Sequence, residues 1–538
     1  MKIQDSTRSI MTSAKRFVSG TLISRFSGLA REVAMATVFG TNPMVAAFWM
    51  AFRFAYLLRR LFGEGALHAA FVPHFESLRK QDGALGARFF YDLSTSVALL
   101  LLLLTAVCEG ILGGVLLFGS MSDGNQEIIR LTMLMLPALV FISLYALNTS
   151  LLNCENSYFL PSFAPTILNL VWVLAIFLVW RMPISKAIEY LAMIIVLAFA
   201  FQWGVTLPQV FRYLTKELGE QWRGKGFSSR EMMTIVRPFA LGMIGVGATQ
   251  INSALDTIFA RAADPQGPAY LWYAIRIQQL PLALFGIGLT GALLPPISRA
   301  IQKGERGSYL HFLNFALKKT FLLMIPMMAA IYSLGFCGIN LVYGHGQFSQ
   351  SATFSTTLCL WAYGAALVPT TLVLIFASAF YAHKNYRIPT LFALLTVILN
   401  VSLNALFVFV FHLGAISIAL ATTLAACVNC VLLASLLKRE YGLPVQGVAL
   451  YSSKVLLATL CATVATLILG FYLLHDNTLR WLIGEELLLF PREFFIQLVA
   501  FSTQALCFGS IFFLAAYLLR IRDIFETKGN QTQWLKSS

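Results

Sequence analysis

Apolar runs of about 20 residues recur along the whole chain. Each is long enough to cross the roughly 30 Å hydrocarbon core of a bilayer as a helix. In lipid every backbone N–H and C=O must be bonded within the spanning structure, which leaves helices or closed barrels. The runs therefore predict an all-α polytopic membrane protein. Fourteen spans are expected, at about 18–40, 44–62, 91–118, 128–153, 159–180, 187–210, 233–260, 268–297, 311–343, 353–381, 388–411, 413–436, 453–474 and 496–519. A hydrophobic share of 58%, a charged share of 12% and a mean hydropathy of +0.74 exclude an ordinary soluble domain.

A net charge of +15 would suit a nucleic-acid binder, but its placement argues otherwise. If the N-terminus is cytoplasmic and the spans alternate, 25 Lys and Arg fall on cytoplasmic segments and five (Arg181, Lys186, Arg261, Arg480 and Arg492) on the opposite side. That bias predicts both termini inside. The excess charge then orients the chain and contacts anionic phospholipids; no nucleic-acid partner is expected. Residues 1–16 are polar and basic and do not read as a cleavable signal. The eight cysteines are scattered. Cys427 and Cys430 lie inside an apolar run without a second pair, so packing is the expected role and no metal site is predicted.

Shifting the chain by 223 residues superposes Trp49 on Trp272, Arg53 on Arg276, Gly63 on Gly286 and Pro73 on Pro296, with nine identities across 25 positions. Six spans separate the copies, so both run the same way through the membrane. Parallel repeats relate two bundles about an axis along the membrane normal, with substrate between them. The expected organisation is an N-terminal bundle with its cytoplasmic linker at 1–232, a second six-span bundle at 233–440, and two extra helices with a tail at 441–538. The longest loops are expected at 76–90, 212–232 and about 475–495, the last as an amphipathic interfacial helix.

Between Ser24 and Phe75 the apolar chain carries Arg25, Arg31, Arg53, Arg59 and Arg60, answered only by Glu32 and Glu64. A charge within a bilayer costs several kcal/mol and normally faces a partner or a wet cavity. A surplus of cations predicts a chamber for something negative. Guanidinium forks are planar, permanently charged and bidentate, which suits a phosphate or diphosphate. Trp49, Arg53 and Arg60 share one helical face, and Glu64 stands one turn beyond Arg60. Arg25 and Glu32 share a face that Arg31 leaves. Arg276 is the repeat partner of Arg53 and has no acid within four residues. Two readings stay open. Arg59 and Arg60 either line the chamber or snorkel at a span end, and Trp49 and Trp272 are either stacking platforms or interfacial belt residues.

Asp256, near Gln250 and Asn252, is a candidate for a coupling cation or for pairing with Arg276. Glu32 and Glu64 are candidates for ion pairing or gating. Asp476, Glu485 and Glu486 look interfacial. There is no Walker loop, so neither ATP hydrolysis nor a cofactor is expected, and no catalytic constellation stands out.

The run Ser24-Arg25-Phe26-Ser27-Gly28-Leu29-Ala30-Arg31-Glu32, with Phe39-Gly40, Leu57-Leu58-Arg59-Arg60-Leu61-Phe62-Gly63-Glu64-Gly65-Ala66 and Ala70-Phe71-Val72-Pro73, resembles the N-terminal signature of the MurJ/MviN lipid II flippases. These belong to the multidrug/oligosaccharidyl-lipid/polysaccharide exporter superfamily. Phe163-Ala164-Pro165-Thr166-Ile167-Leu168-Asn169, Asp256-Thr257-Ile258-Phe259 and Trp272-Tyr273-Ala274 with Arg276 extend the likeness. The resemblance implies a multi-pass protein of the bacterial inner membrane that is a transporter and not an enzyme. It implies movement of undecaprenyl-diphosphate-linked lipid II to the outer leaflet for peptidoglycan synthesis. Alternating access is implied, driven by membrane potential or a monovalent cation. Lipid II is the implied substrate, and other peptidoglycan-synthesis membrane proteins are implied partners. The family's functional arginines carry over onto Arg25, Arg31, Arg59, Arg60 and Arg276; Arg53 falls where relatives often have another basic residue. Ala46 and Ile275 stand where relatives commonly carry acids, and Ala55-Tyr56 replaces a Pro-Asn. The alternatives are a cation-coupled small-molecule exporter of the same superfamily, which should prefer acids in its cavity, and a glycan polymerase, which would need an outer-face acid or nucleophile.

Overall fold

The computed structural model describes residues 7–62, 66–219, 247, 250–473 and 476–521. Among these, side chains are described outside 7–18, 56, 58–62, 66–70, 284, 285, 287–292, 294, 445, 446 and 473. The described residues hold helices and their connections, with no strand. Nine helical segments among them are long and apolar enough to span a bilayer, and a bent pair makes a tenth. The expected spans 18–40 and 44–62 fall on helices whose arginines set them apart from those nine, and most of 233–260 lies outside the described residues.

Contacts divide the chain into two compact units, Met1–Arg261 and Ala262–Ser538. The first holds α1 (Thr7–Phe39), α2 (Pro43–Phe62), α3 (Ala66–Gln81), α4 (Gly83–Phe118), α5 (Asp123–Met135), α6 (Ala138–Cys154), α7 (Phe159–Val179), α8 (Ile184–Gly204) and α9 (Leu207–Leu218). A tenth helix, α10, covers 250–263 and reaches the boundary. Asp82 starts α4 by accepting a hydrogen bond from the Ala84 amide at 3.1 Å, the usual way a short polar side chain satisfies an orphan N–H at a helix start. At Pro137 the missing N–H interrupts the ladder, and α5 and α6 meet at a 43° bend.

The second unit holds α11 (Gly267–Pro281), α12 (Ile287–Gln302), α13 (Arg306–Tyr343), α14 (Gln350–Gly364), α15 (Leu367–Ala382), α16 (Arg387–Ala405), α17 (Ile416–Glu440), α18 (Val445–Leu473), α19 (Asn477–Ile483) and α20 (Phe494–Leu518). A π-helical turn, Leu282–Gly286, joins α11 to α12 directly after Pro281, where the α ladder loses a donor.

The two units repeat one packing plan. In the first, α2 packs on α5, α3 on α4 and α6, α4 on α6, α5 and α6 on α8, and α7 on α8. In the second, α11 packs on α14, α12 on α13 and α15, α13 on α15, α14 and α15 on α17, and α16 on α17. The matched helices begin 221 to 232 residues apart, close to the 223-residue offset for the first pairs and beyond it for the later ones. Helices α18 and α20 pack on one another and both on α13, as additions that the first unit lacks.

Two loop expectations need correction. The stretch 76–90 is almost wholly helical, divided between α3 and α4. Its apolar residues explain why: Phe71, Phe75 and Leu78 of α3 close a core with Phe89 and Phe90 of α4 and Tyr213 of α9. Burying each such side chain contributes about 1.5–3 kcal/mol, and a loop would forgo it. Between 476 and 493 the chain is helical only over α19, which ends at Gly484 in the left-handed region (φ 76°). The remainder is irregular backbone held by side-chain amides. Gln350 binds the Phe490 amide and carbonyl, both at 2.8 Å. Asn477 binds the Leu488 carbonyl and amide at 2.7 and 2.8 Å. Asp476, expected at the interface, is instead buried as the N-cap of α19.

Candidate functional site: the Arg31 shell

Helix α1 presents Gly20, Ser24 and Gly28 at four-residue intervals, a small-residue stripe that lets a second helix approach closely. That helix is α7. A Cβ at Gly20 would lie 2.8 Å from the Ser162 Cβ and 3.1 Å from the Phe159 carbonyl oxygen. The close seam brings Asn169 of α7 onto α1, where its Nδ2 donates to the Ser24 carbonyl at 3.2 Å and to Ser27 Oγ at 2.9 Å. The amide is thereby fixed with its oxygen turned to Arg31, whose Nη1 donates to it at 3.0 Å.

Arg31 is the centre of a built shell. Nη2 lies 2.5 Å from Glu32 Oε1, and the guanidinium carbon sits 4.5 Å from the Trp172 ring centroid. The two charged side chains are only 11% and 5% exposed. Trp172 is itself buried in an aromatic packing group with Phe48, Trp49 and Phe52 of α2. Yet the Arg31 Nε is buried and has no hydrogen-bond acceptor among the described residues. An unmade hydrogen bond on a buried donor costs about 1–3 kcal/mol, more on a charged group. Arg31 is thus a cation held on three sides with one donor unspent.

The other expected residues are placed differently. Arg25 is exposed and has no ion pair among the described residues. Glu32, a candidate for ion pairing, pairs with its neighbour Arg31, because a long arginine side chain can fold across the 100° that separates adjacent helix positions. Arg53 donates through Nη1 to the Ser253 carbonyl and Oγ on α10, at 3.2 and 3.1 Å. Asp256 is buried on α10, with Asn252 Nδ2 3.5 Å from its Oδ2. The side chains of Arg59 and Arg60, and all of Glu64, lie outside the described residues. In the second unit the Arg276 guanidinium carbon stands 4.2 Å over the Trp272 ring, one helical turn back.

Trp49 and Trp272 are 1% and 5% exposed, so neither is an interfacial belt residue. Trp49 stacks on Trp172 at 6.1 Å, and Trp272 carries Arg276. The reading of the sequence passed over Trp172 and gave Asn169 no role. The signal that could have found them is the Gly20, Ser24, Gly28 stripe, which requires a close neighbour for α1. No group of three or more His, Cys, Asp or Glu suited to a metal occurs among the described residues.

Comparison with known proteins agrees with this architecture. The sequence model of the family described as "Lipid II flippase MurJ" matches residues 35–492. A protein of Chlamydia trachomatis named probable lipid II flippase MurJ is 31% identical over 532 residues, 97% of this chain and 96% of its own length. The lipid II flippase MurJ of Burkholderia cenocepacia is 31% identical across 77% of this chain and 81% of its own. A solved structure of lipid II flippase MurJ in an inward closed conformation superposes with a TM-score of 0.74 at 25% identity, covering 95% of this chain and 99% of that one. An inward-facing multidrug resistance MATE transporter of the MOP superfamily shares the fold at a TM-score of 0.64 and 14% identity, over 80% of this chain and 98% of that one. With the family signature running through most of a multi-pass helical chain, this protein belongs to the MurJ lipid II flippase family.

Proposed function

We propose that this chain carries lipid II from the cytoplasmic to the outer leaflet of a bacterial inner membrane by alternating access. An arginine-lined central cavity takes the diphosphate in this reading, with donors from Arg25, Arg31, Arg53, Arg59, Arg60 and Arg276. Both termini face the cytoplasm, and membrane potential or a monovalent cation drives the cycle. The relatives' names support the substrate, and the Arg31 shell supports the chemistry. Its unspent buried Nε–H is the observation that carries the reading. The unspent Nε–H of this planar cation can donate to an oxygen of a diphosphate. Asn169, Glu32 and Trp172 hold it still, so little side-chain freedom is lost on binding. The polyprenyl tail need never leave lipid.

The MATE-like fold alone would also suit a cation-coupled exporter of small molecules. The arginine surplus opposes that, because such an exporter should prefer acids in its cavity.

The test is transport of a defined lipid-linked diphosphate by the purified chain in vesicles, with and without an imposed potential, alongside rescue of a flippase-depleted bacterium. Wild type should transport and rescue. Arg31→Ala and Arg276→Ala should insert at normal abundance and do neither. Full transport by Arg31→Ala would refute the site. Failure of wild type on lipid II, with export of a small molecule instead, would refute the substrate.

A further inference from the structure

Helices α13, α18 and α20 pack mutually in the second unit, and none of them contains an Asp or Glu. Lys318 of α13, Lys454 of α18 and Arg520, just past the end of α20, lie at one level. A Cβ at Gly447 would lie 4.0 Å from Asn314 Oδ1, and Lys318 Nζ lies 5.5 Å from the centre of the Tyr451 ring. The two contacts advance together, four residues along each helix, so α13 and α18 run in the same direction. Continuing that register places Lys454 within a turn of Lys318. Helix α20 runs the opposite way. Gln504 meets Cys337 at 3.3 Å, and Ile521 joins Leu322 and Val455 in one buried cluster. Arg520 therefore arrives at the same level. It sits in the left-handed region (φ 55°) at the residue that follows α20 and its cap.

The level is informative. From Lys454 to Leu473 the helix rises about 28 Å at 1.5 Å per residue, close to the roughly 30 Å thickness of a hydrocarbon core. The three cations thus stand at the boundary where lipid phosphates lie. Lys318 and Lys454 are half-buried rather than extended to water, and neither has an ion pair among the described residues.

We propose that Lys318, Lys454 and Arg520 form a binding site for the phosphate of an anionic phospholipid at the seam of α13, α18 and α20. The phosphate supplies the negative charge that these helices lack, and the acyl chains lie along their apolar outer faces. The site holds the two additional helices to α13 in the leaflet where α13 begins. Its occupancy is independent of substrate transport.

The test uses the full chain in neutral detergent, with thermal unfolding and intact-complex mass as readouts. Phosphatidylglycerol should raise the melting temperature of wild type and be retained in the complex, while phosphatidylcholine with the same chains should do neither. Lys318→Gln/Lys454→Gln should lose the phosphatidylglycerol-specific shift and retention. Lys318→Arg/Lys454→Arg should keep both, which separates charge from packing. Arg212→Gln/Lys216→Gln on α9 should behave as wild type. An unchanged phosphatidylglycerol shift in the Gln pair would overturn the site. So would inorganic phosphate alone reproducing the wild-type shift, since that would mark a solute-anion site.

Discussion

Arg31 rests on Trp172, a residue 141 positions away on α7, with its guanidinium carbon 4.5 Å from the ring centre. In the second unit Arg276 rests on Trp272 of its own helix at 4.2 Å. Both units place a permanently charged group on a buried tryptophan, but by different routes. In the first, the residue equivalent to Arg276 is Arg53, which donates to the Ser253 carbonyl and hydroxyl. A cation over an aromatic face gains about 0.5–2 kcal/mol, and the ring fixes the plane of the fork. The tryptophan is thus a bearing surface that keeps the guanidinium edge aimed.

Asn169→Leu should raise the half-saturating concentration of lipid-linked substrate by roughly 10- to 100-fold. A hydrogen bond to a charged group is worth about 1.5–3 kcal/mol, and about 1.4 kcal/mol is tenfold. Initial transport rates in vesicles, compared at equal protein abundance, measure this. An unchanged half-saturation would show that Arg31 holds its orientation without the amide.

Gly20→Val should open the α1–α7 seam, because any Cβ there meets Ser162 at 2.8 Å. The expected loss is about 1–3 kcal/mol, the usual cost of overpacking. Gly114→Ala is the contrast. No atom lies within 4 Å of a Cβ at Gly114, so removing backbone freedom should leave stability equal or higher by up to about 1 kcal/mol. Thermal unfolding in detergent distinguishes the two.

Asp476 should make the fastening of α19 sensitive to pH. Burial pushes its carboxyl above the ordinary 3.8, opposed by hydrogen bonds from the Thr478 amide, Gln504 and the Thr478 hydroxyl. A raised folded-state value means the folded chain binds the proton more tightly. Its stabilising contribution is then full below pH 3.8 and is lost as pH rises through the folded value. The melting temperature of wild type should fall with rising pH in that window, and Asp476→Asn should flatten the dependence. An identical pH profile in the variant would show that other groups set it.

Gln350→Leu should release the segment after α19. The substitution deprives the Phe490 amide and carbonyl of partners held at 2.8 Å each, at about 1–3 kcal/mol for a buried group left unsatisfied. Limited proteolysis should cut 484–493 faster in the variant than in wild type, with the helices left intact. Equal cleavage rates would show that the Asn477 clasp alone suffices.

Much of this molecule is determined by local physics. Apolar length, the scarcity of charge and the need to bond every amide in lipid make the chain a set of membrane helices, whatever the packing. The arginine surplus, the repeat marked by Trp49 and Trp272, and the family signature are likewise visible in one dimension. The tertiary structure decided which cation is held and by what. Arg31 was one of six arginines with similar claims until α7 brought Asn169 and Trp172 against it. Helical spacing puts Glu32 on the face of Arg25, and only the folded side chain shows that it closes on Arg31. Asp476 looked interfacial because its neighbours are polar, whereas its burial depends on Gln504, 28 residues further on. Periodicity reports which face of a helix is apolar, but not which partner will cover it. Contacts between residues far apart in sequence are set by the packing of whole helices, and no local pattern encodes them.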